Sequence, residues 1–140
     1  MTEQKIIAAI DGSEYSSLIV DKAIELAQLL GGRLLLVHCH RKFSVIESHA
    51  YREEEMGHII NDAGKLVSPF VKRIEEKGIP VESRIMEEPA AEAISEIARI
   101  EHCSLIVMGS RGLTNLASLI VGSVTNRVLQ TAPCSVLVVR

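Results

Sequence analysis

At 140 residues with 47% hydrophobic content, the chain is long enough for one domain with its own apolar core. A net charge of −3, an aromatic content of 3% and the absence of Trp argue against a nucleic-acid partner, which needs basic surface and stacking side chains. No apolar run reaches the roughly 18 to 20 residues of a membrane helix, and Met1 to Lys5 is too polar to begin a signal peptide. We therefore expect a cytoplasmic protein without a membrane span.

Short apolar segments rich in Ile, Val and Leu alternate with segments of helical periodicity along the whole chain. The predicted strands are Lys5 to Ile10, Arg33 to Cys39, Val81 to Met86, Leu105 to Met108 and Ser135 to Val139. The predicted helices are about Glu14 to Leu30, about Tyr51 to Lys77, Ala90 to Ile100 and Ser123 to Thr131. This alternation indicates an α/β fold with a parallel sheet, helices on both faces and no domain boundary.

Three local features qualify this pattern. Gly31-Gly32 predicts the end of the first helix, and Pro69 predicts a kink in the second helix near Lys65 to Ser68. The polar segment His40 to Ala50 is the candidate mobile loop near the expected ligand edge. Three cysteines without CxxC spacing favour reduced thiols over disulfides or zinc; they are Cys39, Cys103 and Cys134.

Glycines follow the fourth predicted strand directly, in Met108-Gly109-Ser110-Arg111-Gly112, and recur nine residues later in Gly122-Ser123-Val124-Thr125. Open α/β sheets bind their ligands at the carboxyl ends of strands, which is where these glycines fall. Glycine lets a backbone approach an anion closely, and the helix that begins at Ser123 adds unpaired N–H groups and a favourable dipole. The pattern therefore predicts a phosphate-binding site made by two segments.

The two commonest phosphate motifs are excluded. A P-loop requires GxxxxGK[ST], but the pair Gly64-Lys65 is followed by Leu66 and has Ile59 where the first glycine belongs. GxGxxG is absent as well. A typical P-loop NTPase and a dinucleotide-binding Rossmann site are therefore poor interpretations of the sheet pattern.

A second candidate site is Asp11-Gly12-Ser13, directly after the first predicted strand. By itself the tripeptide is typical of an ordinary strand-to-helix turn, in which Ser13 caps the helix. The ends of strands 1 and 4, however, flank the point where a doubly wound strand order reverses, so both can meet one ligand. The turn and the ligand site both remain open at this point.

The glycine spacing Gly109-x2-Gly112-x9-Gly122-Ser123 resembles that of the universal stress protein family, as do Ile10-Asp11-Gly12-Ser13 and the terminal run Pro133 to Val139. The resemblance covers the whole chain in the same order, and ATP-binding members of the family have this glycine pattern. It implies one nucleotide-binding domain over residues 1–140. It also implies a doubly wound, five-stranded parallel sheet of order 3-2-1-4-5.

The resemblance further implies an ATP site, usually with Mg²⁺ or Mn²⁺. The adenosine end would contain Ala9 and Asp11, and the adenine would receive backbone groups of Cys39. The ribose and phosphates would be enclosed by Met108, Gly109, Arg111 and Gly112. The outer phosphates would be held by Gly122, Ser123 and Val124. Arg111 supplies a permanent positive charge for a phosphate, although a solvated loop arginine is an equal alternative.

One segment departs from the family pattern. Before the third helix the chain has Glu87-Glu88-Pro89, where members often carry a glycine-containing turn. We expect the two carboxylates to change the surface beside strand 3 and to stay away from the glycine loop.

Other polar clusters have simpler interpretations. His38 and His40 face the same side of one strand, and His49 and His58 follow, but no Cys or carboxylate stands at metal-ligand spacing. Polar strand-end and solvated helix histidines are the simpler interpretation, and Glu53-Glu54-Glu55 predicts a solvated first helical turn. No Ser, His and Asp arrangement indicates a nucleophilic triad, so we assign no metal ligands and no catalytic residues.

The resemblance implies a nucleotide-responsive regulator or stress-resistance factor that acts on an unknown downstream protein. Hydrolysis needs a positioned base, and Asp11 is the only carboxylate near the ligand, so we expect at most slow ATP hydrolysis. Two alternatives stay open. One is an ATP-free dimeric interaction protein of the same fold, and the other is an enzyme that activates its substrates with ATP.

The terminal apolar run Cys134 to Val139 predicts a strand at the edge of the sheet. Its unpaired N–H and C=O groups invite another chain, and a copy of itself can cover them by two-fold symmetry. We expect a homodimer through Val136 to Val138.

Overall fold

The structure is a computed structural model that describes residues 3–42, 49–111 and 121–140. Strands and helices alternate throughout these ranges, as the sequence predicts. The elements are β1 (Lys5–Ile10), α1 (Tyr15–Leu30), β2 (Arg33–His40), α2 (His49–Glu76), β3 (Val81–Glu87), α3 (Ala90–Ile100), β4 (Leu105–Gly109), α4 (Ser123–Thr131) and β5 (Ser135–Val139). Each predicted element is confirmed, with boundaries that differ by no more than two residues.

All neighbouring strands are parallel, and their order is β3-β2-β1-β4-β5. β1 lies at the centre, where Ala8 pairs with Leu36 on one side and with Val107 on the other. The chain moves outward to β3 in one direction and then returns to β4 on the other side of β1. The order therefore reverses between β1 and β4, which confirms the predicted doubly wound α/β fold.

The helices cover both faces of the sheet because alternate strand residues point to opposite sides. Ile6 faces α1 and α2, whereas its neighbour Ile7 faces α3 and α4, and both side chains are fully buried. Burial of one such side chain stabilises the fold by about 1.5–3 kcal/mol. Two apolar layers thus hold the central strands, and the carboxyl ends of the strands are left for a site.

Several local predictions can be compared with the structure. α1 ends at Gly31, whose φ of 66° is left-handed as expected for a glycine terminator. α2 continues as one helix through Pro69, and the predicted kink near Lys65 to Ser68 stays a prediction. The predicted mobile loop falls largely on residues 43–48, which lie outside the described residues. Cys39, Cys103 and Cys134 are free thiols. Within the described ranges, no helix is long and apolar enough to cross a membrane.

Candidate functional site

A cavity of about 560 Å³ lies at the carboxyl ends of β1, β2 and β4, beside the reversal of strand order. Its walls also include one side of α2 and the first residues of α3 and α4. Small-molecule sites usually have volumes of roughly 300–1,000 Å³. The cavity therefore has the size and the place in the fold that a ligand site of a doubly wound sheet requires.

The structure brings together nine of the ten residues that the sequence analysis assigned to the site. They line this one cavity and are Ala9, Asp11, Cys39, Met108, Gly109, Arg111, Gly122, Ser123 and Val124. The tenth, Gly112, lies outside the described residues. Their assembly places the predicted site at one location, whereas the part that each residue plays in binding stays a prediction.

The turn after β1 is fixed by hydrogen bonds. Asp11 Oδ1 accepts the N–H of Ser13 at 2.9 Å, and Gly12, with a φ of 85°, allows the chain to reverse toward α1. The N-cap of α1 is Glu14, without a side-chain cap bond, and not Ser13 as expected. Ser13 lies one residue earlier, and its Oγ accepts the N–H of Tyr15 at 3.3 Å. The turn is therefore ordinary in geometry, and Asp11 also lines the cavity, while its contact with a ligand stays a prediction.

The backbone of Cys39 faces the region beyond the end of β1. The His40 carbonyl accepts the N–H of Glu88 at 2.9 Å, and successive strand residues direct their backbone groups to opposite neighbours. The backbone N–H and C=O of Cys39 therefore face β1. Because β1 ends at Ile10, the next backbone donor that could reach the Cys39 carbonyl is the N–H of Gly12, and that group donates to a serine hydroxyl of α1 instead. The Cys39 carbonyl is thus an acceptor on the cavity side of β2.

The thiol of Cys39 is held in its neutral form. Burial, and to a smaller extent the negative charge of Glu88, raise its pKa to about 11, because both disfavour a thiolate. At neutral pH this cysteine is a small, weakly polar side chain in the cavity wall. It is not equipped to act as a nucleophile.

His38 is oriented by the end of β1. Its Nδ1 donates to the carbonyl oxygen of Ile10 at 3.0 Å, and only 8% of the residue is exposed. A carbonyl can only accept, so Nδ1 carries the hydrogen, and Nε2 has a lone pair when the ring is neutral. This fixes the tautomer of a histidine that lines the cavity. In the described part of the chain, no group of three His, Cys, Asp or Glu residues can hold a metal ion.

Glu88 corrects one expectation from the sequence. We expected Glu87 and Glu88 to alter only the surface beside β3, but Glu88 lines the cavity. The cause is the pairing of β3 with β2, which continues to the pair His40 and Glu87 and brings residue 88 beside the end of β2. The other half of the expectation is confirmed, because two strands separate β3 from the glycine segment of β4.

The opposite end of the cavity joins β4 to the first turn of α4. The N–H of Gly122 donates to the Ser110 carbonyl at 2.6 Å, and the Ser110 N–H donates to the Val139 carbonyl at 2.8 Å. Thr125 Oγ1 donates to the Gly109 carbonyl, also at 2.6 Å. A Cβ on Gly109 would lie 3.0 Å from the Arg111 carbonyl oxygen, so a side chain there would force a shift. These contacts hold two separated segments in one frame.

The first turn of α4 is suited to an anion. Gly122 is the N-cap, and its lack of a side chain leaves the helix without a side-chain cap. The first N–H groups of a helix have no partner within it, and the positive end of the helix dipole lies here. Ser123 and Val124 lie on the cavity wall, with Arg111 nearby at the end of β4. Positive potential is therefore concentrated at the α4 end of the cavity.

Sequence reasoning assigned to the site none of seven further polar residues of the cavity wall, which are His38, His40, Arg41, His58, Asp62, Glu88 and Thr125. Thr125 is the third residue of α4, and its short hydroxyl side chain can form a hydrogen bond to a group outside the helix. The sequence analysis described His38 and His40 as a pair on one strand. Their position at the end of that strand was the feature that could have assigned them to the site. Nothing local in the sequence could place Glu88, because its position depends on the pairing of β3 with β2.

The chain is similar to known proteins over nearly its full length. The family model described as the universal stress protein family matches residues 3–140. Universal stress protein YxiE of Bacillus subtilis is 30% identical, with 97% of this chain and 98% of that protein covered. A universal stress protein of Thermus aquaticus is 35% identical, with 96% and 97% covered.

Solved structures agree with this result. The structure of hypothetical protein MJ0577 has a TM-score of 0.89 and 27% identity, and the match covers 99% of this chain and 96% of that one. A universal stress protein in complex with cAMP has a TM-score of 0.76 at 23% identity, a likeness that shows the fold alone; it covers 100% of this chain and 99% of that one. The chain belongs to the universal stress protein family.

Proposed function

We propose that the chain binds ATP, together with Mg²⁺ or Mn²⁺, and acts as a nucleotide-responsive regulator or stress-resistance factor. The observation that carries the proposal is one cavity with two unlike ends. A carbonyl acceptor of Cys39 lies at one end, and an uncapped helix start with Gly122 lies at the other. A nucleoside triphosphate also has two different ends, a base that forms hydrogen bonds and a polyanionic phosphate chain, and these match the two ends of the cavity.

The dimensions support a nucleotide. Two strand spacings separate β2, which contains Cys39, from β4, and at about 4.8 Å each they amount to roughly 10 Å. An extended nucleoside triphosphate can span this distance, with its base beside β2 and its phosphates beside β4 and α4. The universal stress protein structure named above was solved with cAMP, an adenine nucleotide, which supports a ligand of the same class here.

Each predicted residue has a role in this proposal. Gly109 and Gly122 let the backbone approach the phosphates, and the N–H groups at the start of α4 donate to them. Gly112 is assigned to the same role from the family resemblance. Arg111 adds a guanidinium beside this end. Asp11 faces the ribose between the two ends, and Ala9 and Met108 supply apolar wall for the nucleoside.

The divalent ion would be bound mainly through the phosphates. Mg²⁺ commonly keeps several waters and is held by substrate phosphates with few protein ligands. Ser123 is the residue whose hydroxyl fits this arrangement, since it is exposed at the first position of α4. The ion would neutralise phosphate charge, and the protein would need no metal site of its own.

We propose at most slow ATP hydrolysis. Within the described residues, three carboxylates line the cavity, those of Asp11, Asp62 and Glu88, and not Asp11 alone as expected from the sequence. Oδ1 of Asp11 already accepts a hydrogen bond within its own turn, and Glu88 lies beside the end of β2, away from the proposed phosphate end. A rapid reaction needs a base within hydrogen-bond reach of the attacking water. Binding rather than turnover is therefore the expected activity, and a nucleotide-dependent contact with a downstream protein would carry the signal in the cytoplasm.

The proposed assembly is a homodimer through β5. β5 pairs with β4 on one side, and its other side is an edge of the described sheet. Because the Val139 carbonyl faces β4, the backbone groups of Val138 face the open edge. Another copy can pair there by two-fold symmetry.

The test is the nucleotide content of the purified protein, followed by calorimetry with Mg-ATP. Mass spectrometry of the ligand released on denaturation identifies a retained nucleotide. Gly122→Val adds a side chain where the backbone would meet phosphate, and the native φ of −63° and ψ of 160° are open to valine. We expect this variant to fold and to lose ATP binding.

Gly64→Val is the matched control. Gly64 lies in α2, and a Cβ there would meet nothing within 4 Å. It should therefore bind ATP as the wild type does. A wild-type protein that neither retains nucleotide nor binds ATP on titration would favour the ATP-free interaction protein. Substrate-stimulated release of AMP or pyrophosphate would instead favour the activating enzyme.

A further inference from the structure

Two residues with hydrogen-bond acceptors, Cys39 and Glu88, line the cavity near the ends of β2 and β3. One acceptor is the carbonyl of Cys39, which faces the cavity side of β2, and the other is the carboxylate of Glu88. The backbone N–H of Glu88 donates to the His40 carbonyl at 2.9 Å, which anchors the residue beside the end of β2. Among the described residues, Glu88 forms no ion pair, so its carboxylate is available to a ligand.

We propose that Glu88 selects the nucleobase by accepting a hydrogen bond from an exocyclic amino group. This inference rests on the proposed function. An amino group on the six-position of a purine has two hydrogens, which match the Cys39 carbonyl and the Glu88 carboxylate. A six-oxo group at the same place brings a third acceptor against the other two. Glu88 thus favours adenine over hypoxanthine and over guanine in the same orientation.

Glu88 also acts electrostatically on Cys39. Its carboxylate is the second cause, after burial, of the raised pKa of the Cys39 thiol. The same end of the cavity is lined by apolar groups of Ala90 and Ile94 at the start of α3. Glu88 is itself exposed, so it lies at the solvent rim of this apolar wall.

The charge of Glu88 does not conflict with phosphate binding. The α4 end of the cavity is three strand spacings away, roughly 14 Å. The Debye length at physiological ionic strength is about 8 Å, so repulsion between the carboxylate and the phosphates is largely screened. Glu88 can therefore select the base without weakening the polyanion contacts.

The experiment compares Mg-ATP with Mg-ITP by calorimetry, since the two nucleotides differ at the six-position of the base. The proteins are wild type, Glu88→Gln, Glu88→Ala and the control Glu87→Gln. Glu87 is exposed, immediately precedes Glu88 and is not part of the cavity wall. Its replacement removes the same charge one residue away.

We expect wild type to prefer ATP, and Glu88→Gln to reduce the ATP-to-ITP affinity ratio by about tenfold, because the glutamine amide can donate to the six-oxo group. Glu88→Ala should reduce the ratio less, since it removes the acceptor and adds no donor. Glu87→Gln should keep the wild-type ratio.

An unchanged ratio in Glu88→Gln and Glu88→Ala, with tight ATP binding, overturns the role of Glu88 and leaves the proposed function standing. An equal change in the ATP-to-ITP affinity ratio of Glu87→Gln also overturns it, since the effect would then come from the loss of any negative charge near the cavity. If wild type binds neither nucleotide, the proposed function and this inference fail together.

Discussion

Thr125→Val tests whether the frame between β4 and α4 holds the cavity together. Thr125 is 4% exposed, and its Oγ1 donates to the carbonyl of Gly109 at 2.6 Å. Valine keeps the shape of the side chain and cannot donate. The substitution therefore removes one buried hydrogen bond and leaves the apolar contacts of α4 largely in place.

The expected loss of stability is about 1–3 kcal/mol, because a buried acceptor loses a donor that water cannot easily replace. For 140 residues, an unfolding entropy of about 2.1 cal/mol/K per residue gives roughly 0.3 kcal/mol/K. The melting temperature should therefore fall by about 3–10 °C. ATP should also bind more weakly, because the first turn of α4 loses one of its attachments to the end of β4.

The assay is thermal unfolding by circular dichroism, followed by calorimetry with Mg-ATP below the melting temperature. Thr131→Val is the matched control, since Thr131 lies in the last turn of the same helix, is exposed and is not part of the cavity wall. Its Oγ1 donates to the Arg127 carbonyl at 3.0 Å and lies 2.7 Å from Ser95 Oγ, so the control also removes a hydrogen-bonded hydroxyl of α4 but leaves the cavity wall unchanged, and it should keep wild-type ATP binding. A Thr125→Val protein that melts and binds ATP like wild type would refute the importance of this bond.

Two further predictions concern Cys39 and β5. Because burial, and then Glu88, raise the pKa of Cys39 to about 11, its alkylation by iodoacetamide should accelerate with pH up to about 11. Glu88→Gln should lower this pKa and speed the reaction at pH 8, as peptide mass spectrometry can measure; no change would contradict the proximity of the two side chains. Val138→Pro removes an N–H that faces the open edge and should weaken the dimer in light scattering without breaking the β4 pairing. A monomeric wild type at micromolar concentration, or unchanged dimer affinity in the variant, would count against this interface.

The elements of the fold could be predicted because their core residues are strongly apolar. Ile6 and Ile7 are buried on opposite faces, and such doubly covered parallel strands require continuous runs of Ile, Val and Leu. The boundaries were less accurate where the last strand residues are polar. His40 and Glu87 extend β2 and β3 past the apolar layer because the ladder between the two strands continues to this pair.

The sequence could predict only those parts of the candidate site where the residue type itself indicates a particular backbone conformation. Gly109 and Gly122 stand out in sequence because glycine marks the end of the fourth strand and the start of the last helix. Glu88 and Thr125 have no such signal. Their importance depends on the carbonyls of His40 and Gly109, which the fold brings beside them from distant parts of the chain.

Two of the contacts that hold the end of β4 do not depend on side-chain identity, and both are made by Ser110. Its N–H bonds to Val139 and its carbonyl to Gly122, so both contacts use main-chain atoms. Substitution at residue 110 or 139 leaves these atoms in place, provided that proline is not introduced at 110. The junction can therefore persist while the amino acids at these positions drift during evolution. A search for invariant residues would overlook it, and comparison of backbone geometry among distant relatives is the way to recognise it.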